Sequence, residues 1–183
     1  MSTLRRLLTR TAALLCVAVL CLGGAAVPAS SSSLLVECPT GYQTNTYNPG
    51  LLLLTSRNVT IHSSSTIGNC VDVIGNRATG EIDLTGTGSL TCVGGNASGT
   101  ATVDWNHSGI PDTHFSWSGA AGLRPGGNAV LVITGTVTSN DMPGAGVLYE
   151  TVLTTSLQQT LGCLGSGQTT NSGAVLTFSI LDL

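Results

Sequence analysis

The sequence predicts an all-β protein, an antiparallel β-sandwich of Ig-like or Greek-key type closed by two disulfides, and three observations carry that expectation. Apolar and polar residues alternate with period two over long stretches. In 79–118, Ile82, Leu84, Leu90 and Cys92 share one parity, and Glu81, Asp83, Thr85, Thr87, Ser89 and Thr91 share the other. That period marks a strand with one buried face. The stretches are separated by Gly, Pro and Asn clusters, and no capped helical period of any length interrupts them. Finally, Cys38, Cys70, Cys92 and Cys163 form an even set in a chain expected to be exported, which reads as a disulfide framework.

Export is expected from the amino end. Arg5, Arg6 and Arg10 precede the apolar run 12–22, and small residues follow around Val27, Pro28 and Ala29. This is the pattern of a secretory signal peptide, residues 1–29, whose removal takes Cys16 and Cys21 with it. The run is too short, and too soon followed by Ser30, to cross a membrane. The remaining residues, 30–183, have the length of one domain. They keep Arg57, Arg77 and Arg124, no lysine and all nine acids, a net charge of −6. Without a basic patch to neutralise phosphates, nucleic acid is excluded as a partner, and the overall sign disfavours an anionic membrane. No later apolar segment approaches the length of a span, so no membrane span is expected in the mature chain.

The elements follow in order. After a serine lead-in, 34–38 is a short strand and 42–47 a second, ended by a turn at Asn48, Pro49 and Gly50, where proline removes a ladder donor. Residues 51–54 are a buried strand or a crossing between sheets, 57–64 alternates again, and 71–74 is a short edge strand. The central block holds a strand up to Cys92, a turn at Gly94, Gly95 and Asn96, and a hairpin in which Ala101, Val103 and Trp105 face the same way as Phe115 and Trp117. A turn at 123–127 leads into 128–138, whose start is apolar on both parities, the mark of a strand buried on both sides and central in its sheet. Residues 140–146 turn the chain, 147–154 and 157–163 are strands, 165–173 is a polar loop, and 174–180 closes the domain. A closed barrel fits the same pattern. The sandwich is preferred because disulfides and Greek-key connections suit strands of unequal length.

For the disulfides, Cys38 with Cys70 and Cys92 with Cys163 is the favoured pairing, since the first brackets a hairpin and the second ties the middle to the late strands. Zinc is the weaker reading, because no two of these cysteines form a CxxC half-site. No metal and no cofactor are expected.

Candidate chemistry centres on Asp104, His107, Asp112 and His114. If Trp105 opposes Phe115 and Val103 opposes Trp117, both histidines cannot converge, because register preserves parity. The same register puts Asp104, His114 and Ser116 together on the outer face, with Asp104 opposite Ser116. These three form a polar surface site, but Ser116 lies mid-strand without a nucleophile elbow or oxyanion donors. No catalytic residue is therefore assigned. Glu81 and Asp83 share a face at a spacing glycosidases use, yet two acids on an exposed strand serve solubility. His62 lies on a polar face, and Glu150 sits among apolar neighbours and would need Arg57 or Arg124 if buried. Asn58, Asn96 and Asn106 head N-glycosylation patterns, a common match in so Ser/Thr-rich a chain. Both tryptophans fall on the apolar parity and are assigned to the core.

Across nearly the whole mature region, the segments CPTGYQTNTYNPGL, TGTGSLTC, SGTATVDWN, LRPGGNAVLVITGTVTSNDMPGAGV and LGCLGSG resemble those of uncharacterised small secreted four-cysteine proteins of mycelial actinobacteria. The resemblance implies an exported four-cysteine β-sandwich and carries over no site residue. The functional expectation is a secreted, non-enzymatic extracellular or cell-wall-associated binding or structural module, whose partner is an extracellular protein or cell-envelope component. Its rivals are an inhibitor of a secreted hydrolase, acting through 108–112 or 165–173, and a small secreted hydrolase.

Overall fold

A computed structural model of the chain describes residues 32–73, 75–123, 129–154 and 156–183. The expected signal peptide and residues 124–127 of the expected turn lie outside these. Among the described residues the strands are β1 (Ser33–Cys38), β2 (Thr40–Leu51), β3 (Arg57–Gly68), β4 (Val71–Asp72), β5 (Gly80–Thr91), β6 (Gly94–Trp105), β7 (Thr113–Leu123), β8 (Ala129–Val137), β9 (Gly146–Thr154) and β10 (Gln168–Asp182), with a helix, α1 (Leu157–Leu164), before β10.

The sheet closes on itself, which corrects the sandwich expectation. Strands β2, β3, β5, β6, β7, β8, β9 and β10 pair antiparallel in that order, and β10 returns to β2, with Asn171 opposite Asn45 and Ala174 opposite Tyr42. The result is an eight-stranded meander barrel with neither two packed faces nor a Greek-key crossover. Beyond Pro39, β1 continues the line of β2 along the far half of β10, and β4 pairs with β1.

The physical reason for closure lies in the hairpin β5–β6. Gly86 faces Gly99, and Gly99 faces Trp117 on β7. A Cβ on Gly99 would stand 1.9 Å from the Thr85 carbonyl oxygen, and one on Gly86 would stand 2.4 Å from the Trp117 ring. With no side chain at either place, the strands coil tightly around one indole, whose Nε1 donates to the Thr85 and Thr100 carbonyls at 3.2 and 3.1 Å. Strands that curl this far meet across a single core and need no second sheet.

Several boundaries differ from expectation for related reasons. β2 runs through Asn48 and Pro49, joined by a cis peptide bond, to Leu51. Proline replaces a ladder donor there without ending the strand. β6 begins at Gly94, so the turn is Cys92–Val93 rather than 94–96. Residues 157–163 form a helix instead of a strand, and β10 takes up 168–173 of the expected loop. In the β6–β7 hairpin, Ala101 opposes Phe115 and Gly99 opposes Trp117, where Trp105 and Val103 are expected, so each partner lies four residues from its expected place. Parity survives, so Trp105, Phe115 and Trp117 all point inward and are buried.

Inside, the two halves of the barrel differ. Towards the end where β5 and β9 begin, Phe178 packs among Trp105, Phe115 and Tyr149, with ring centroids 6.1 to 6.3 Å apart. Arg77, from the connection between β4 and β5, plugs that end. It is 6% exposed, bonds Asp72 at 3.0 Å and Asp141 at 3.3 Å, and its guanidinium lies 5.4 Å from the centroid of the Trp105 ring. The opposite end carries α1. The cysteines pair as Cys38–Cys70 and Cys92–Cys163, the second holding α1 to the β5–β6 turn, as fits an oxidising compartment. Outside, the strands present Thr44, Thr46, Thr60, His62, Ser64, Thr85 and Ser118 to solvent, the reverse of a lipid-facing barrel. Among the described residues no helix is long and apolar enough to cross a membrane.

Candidate functional site

The interior of the barrel holds two features that alternation alone does not require: a buried polar layer and, above it, a cavity. Gln43, Asn45 and Tyr47 alternate inward from β2, where they meet Ser63 and Ser65 of β3, Tyr149 of β9 and Asn171 of β10. Gln43 Nε2 donates to Ser63 Oγ at 3.0 Å and to Asn45 Oδ1. Asn45 Nδ2 and the Tyr47 hydroxyl donate to Asn171 Oδ1 at 2.8 and 3.2 Å. The Tyr149 hydroxyl donates to Gln43 Oε1 at 3.0 Å and meets Ser65 Oγ at 2.8 Å. Each buried amide and phenol thereby has a partner, the condition for tolerating polar groups in a core. Burial pushes the Tyr47 phenol up to about 12 despite the bond to Asn171, and it pushes Tyr149 higher still.

Over this layer, towards the α1 end, lies a cavity of about 40 Å³ with an almost wholly apolar lining. Its cause is local. On β6 and β7 the inward residues pair small against small, Gly95 with Ala121 and Ala97 with Gly119. Leu131 and Ile133 of the adjacent β8 and Leu153 of β9, with Trp117 and Tyr47, do not fill the space those residues leave. Gln43 and Asn45 form the floor. Alternation does not reveal this site, because Gly95 beside Gly94 and Asn96 reads as a turn. The available signal was the run of small residues Gly95, Ala97, Gly99 and Ala101 at alternate positions.

The polar surface residues do not assemble. Asp104 opposes Glu81 on β5, not Ser116. His114 opposes Thr102 and bonds Thr102 Oγ1 through Nδ1 at 2.9 Å. Ser116 sits between Thr100 and Thr136, on the rim of an open depression of about 320 Å³ over Gly135 that Ser118, Thr134 and Thr136 also border. His107 lies in the β6–β7 connection and bonds the Ser108 carbonyl, away from His114. Among the described residues no group of three or more His, Cys, Asp or Glu is placed to hold a metal ion. Glu150 is half-exposed on the outer face of β9, so it requires no buried counter-ion.

The fold and cavity define a closed antiparallel β-barrel with an internal apolar site. Comparison with protein-family models, with curated proteins and with solved structures finds no match.

Proposed function

We propose that this chain is an exported binding protein that acts without catalysis, its barrel holding a small apolar group in the half nearest α1. The observation that carries the reading is the apolar cavity over the Gln43–Asn45 floor. Barrels of eight strands have interiors wide enough either to fill with side chains or to enclose one small ligand. This chain fills one half with aromatics and leaves the other with only glycine and alanine pointing inward where β6 and β7 pair. The volume suits only the end of a slender group, such as the last carbons of a short alkyl chain whose polar terminus meets the amides of Gln43 and Asn45. The two disulfides and the outward Thr and Ser residues suit a protein working outside the cell.

Trp117 lines the cavity, so a short brominated alkanol titrated against the protein should quench its fluorescence saturably. Ala121→Leu, which fills the space from β7, should remove the quenching while leaving the barrel folded. Quenching that never saturates, or that is equal in Ala121→Leu, would refute the reading.

A further inference from the structure

Helix α1 is docked with its apolar side outward. Its face towards the barrel is made by Cys163, bonded to Cys92, by Gly162, where a Cβ would lie 3.4 Å from the Gln168 Cα, and by Gln159, whose Nε2 reaches the Thr170 carbonyl at 3.5 Å. At about 100° per residue, Leu157, Leu161 and Leu164 fall together on the opposite side. They are 77, 60 and 64% exposed, and Leu54 of the neighbouring connection is 80% exposed. A surface helix ordinarily buries such a stripe. Here the disulfide pins it in solvent.

Charge is sorted along the same axis. Of the nine acids, only Glu150 lies midway; the other eight fall in or within four residues of the Arg77 end, on β1, β4, the first turns of β5, the last of β6 and β10, and the connections beside them. The described connections at the α1 end, 52–56, 92–93 and 156–167, contain no acid, and Arg57 begins β3 at that end. Strands of this length, tilted as in a barrel, span on the order of 30 Å between the ends. The Debye length at physiological salt is about 8 Å, so the acidic end does not repel a surface that meets the other.

We propose that the α1 end seats in the interface of a lipid bilayer, with Leu54, Leu157, Leu161 and Leu164 among the upper acyl carbons and the acidic end pointing away. This shallow mode needs exposed apolar side chains without carboxylates beside them. A second copy of the chain fits less well. The four leucines expose roughly 500 Å², against about 800 Å² per partner in a stable interface, and pairing two α1 ends gives no reason for the acids to gather at the far pole.

Every barrel strand and both disulfides lie within residues 33–182, so the test uses a chain beginning at Ser30. It is floated with phosphatidylcholine vesicles, with and without phosphatidylglycerol. Binding to both is expected, changed less than about twofold by high salt because the leucines dominate it. The triple variant L157N/L161N/L164N should bind at least about tenfold less, and amide exchange across 157–164 should slow on vesicles in the parent chain only. The substituted side chains are solvent-exposed, so the variant keeps its disulfides and melting temperature, which are measured alongside. Absence of flotation, or equal flotation of the triple variant, overturns the proposal. So does a vesicle-free dimer that the triple substitution dissociates without any flotation of the parent. Alkanol quenching of Trp117 is read separately, so failure here is distinct from failure of the cavity.

Discussion

Arg77 and Asp141, 64 residues apart in the chain, meet at 3.3 Å beneath the Trp105 ring and close one end of the barrel. Trp105 Nε1 donates to Thr113 Oγ1 at 2.9 Å, and Thr113 donates to Asp141 at 2.7 Å, so the indole, hydroxyl, carboxylate and guanidinium form one unit. Burial alone would raise the Asp141 carboxyl. The hydrogen bonds from Ser139, Thr113 and its own backbone, with Arg77 beside it, carry it below the ordinary carboxylate value. A carboxyl depressed in the folded state contributes stability that is complete above its unfolded value, near 4, and lost as the pH falls through the lower folded value. Urea midpoints measured on the acid side should therefore fall less steeply in Asp141→Asn than in the parent. Arg77→Ala, which takes the guanidinium away from the Asp72 and Asp141 carboxylates, should cost about 3 kcal/mol. An acid limb unchanged by Asp141→Asn would refute the first expectation.

Gly99 and Gly86 are predicted to be intolerant of even a methyl group. Gly99→Ala would place a carbon 1.9 Å from a backbone oxygen that cannot move without parting β5 from β6, and Gly86→Ala would displace the Trp117 ring. Each should cost about 3 kcal/mol or more. Gly109→Ala, in the exposed β6–β7 connection with nothing within 4 Å, should cost only about 1 kcal/mol from its positive φ of 91°. Thermal melts of the three variants give the ranking, and a Gly99→Ala melt matching that of Gly109→Ala would contradict this account of closure.

Those glycines also show what was legible in the sequence. Period-two alternation placed Ile82, Leu84, Val103, Trp105, Phe115 and Phe178 inside, because a strand's geometry forces alternate residues to one side whatever the architecture. Sandwich and barrel share that pattern. The choice between them depends on whether β10 reaches β2, a pairing of residues 126 apart such as Asn45 and Asn171, on which local patterning is silent. The polar layer was hidden because Gln43 and Asn45 alternate with Thr44 and Thr46, leaving no hydrophobic contrast. The error at α1 was avoidable: Leu157, Leu161 and Leu164 are spaced i, i+4, i+7, and Ser156 with Gln159 makes a capping box, both bonds of which form. Arg77 carried no signal, since a lone loop residue acquires meaning only from partners that the fold brings to it.

Alkaline pH should unfold the protein through its interior phenols. The Tyr47 phenol is carried from 10 to about 12 by burial. A group whose folded value is raised contributes stability that is complete below its unfolded value and is lost as the pH rises through the folded one. Stability should therefore decline between pH 10 and 12, with tyrosinate absorbance from Tyr47 appearing only as the barrel opens. In Tyr47→Phe the decline should shrink, although the variant loses the bond to Asn171, worth about 1 kcal/mol. Early tyrosinate absorbance of the parent at full stability, equal to all three tyrosines, would contradict the buried placement of this phenol and of Tyr149.

The Cys92–Cys163 disulfide should hold α1 more than it holds the barrel. It closes 71 residues, which in the chain-entropy view is worth about 4 kcal/mol of global stability. Locally, α1 presents only Cys163 as a buried residue, and its other ties include the capping bonds at Ser156, the hydrogen bond from Gln159 Nε2 to the Thr170 carbonyl, two from Gly165 and Gly167 to the Gly162 carbonyl, and the one from Leu53 to the Cys163 carbonyl. An eight-residue helix with its leucines in water has little reason to stay folded once released. In Cys92→Ser/Cys163→Ser, amide exchange across 157–164 should approach that of an unfolded chain, while the amides of β3, β5 and β6 stay protected up to the reduced global stability. Because the stripe is pinned outward by this bond, the same variant should also lose vesicle binding. Retained protection of α1 in the double variant would show that packing against 167–168, rather than the sulfur bridge, fixes its orientation.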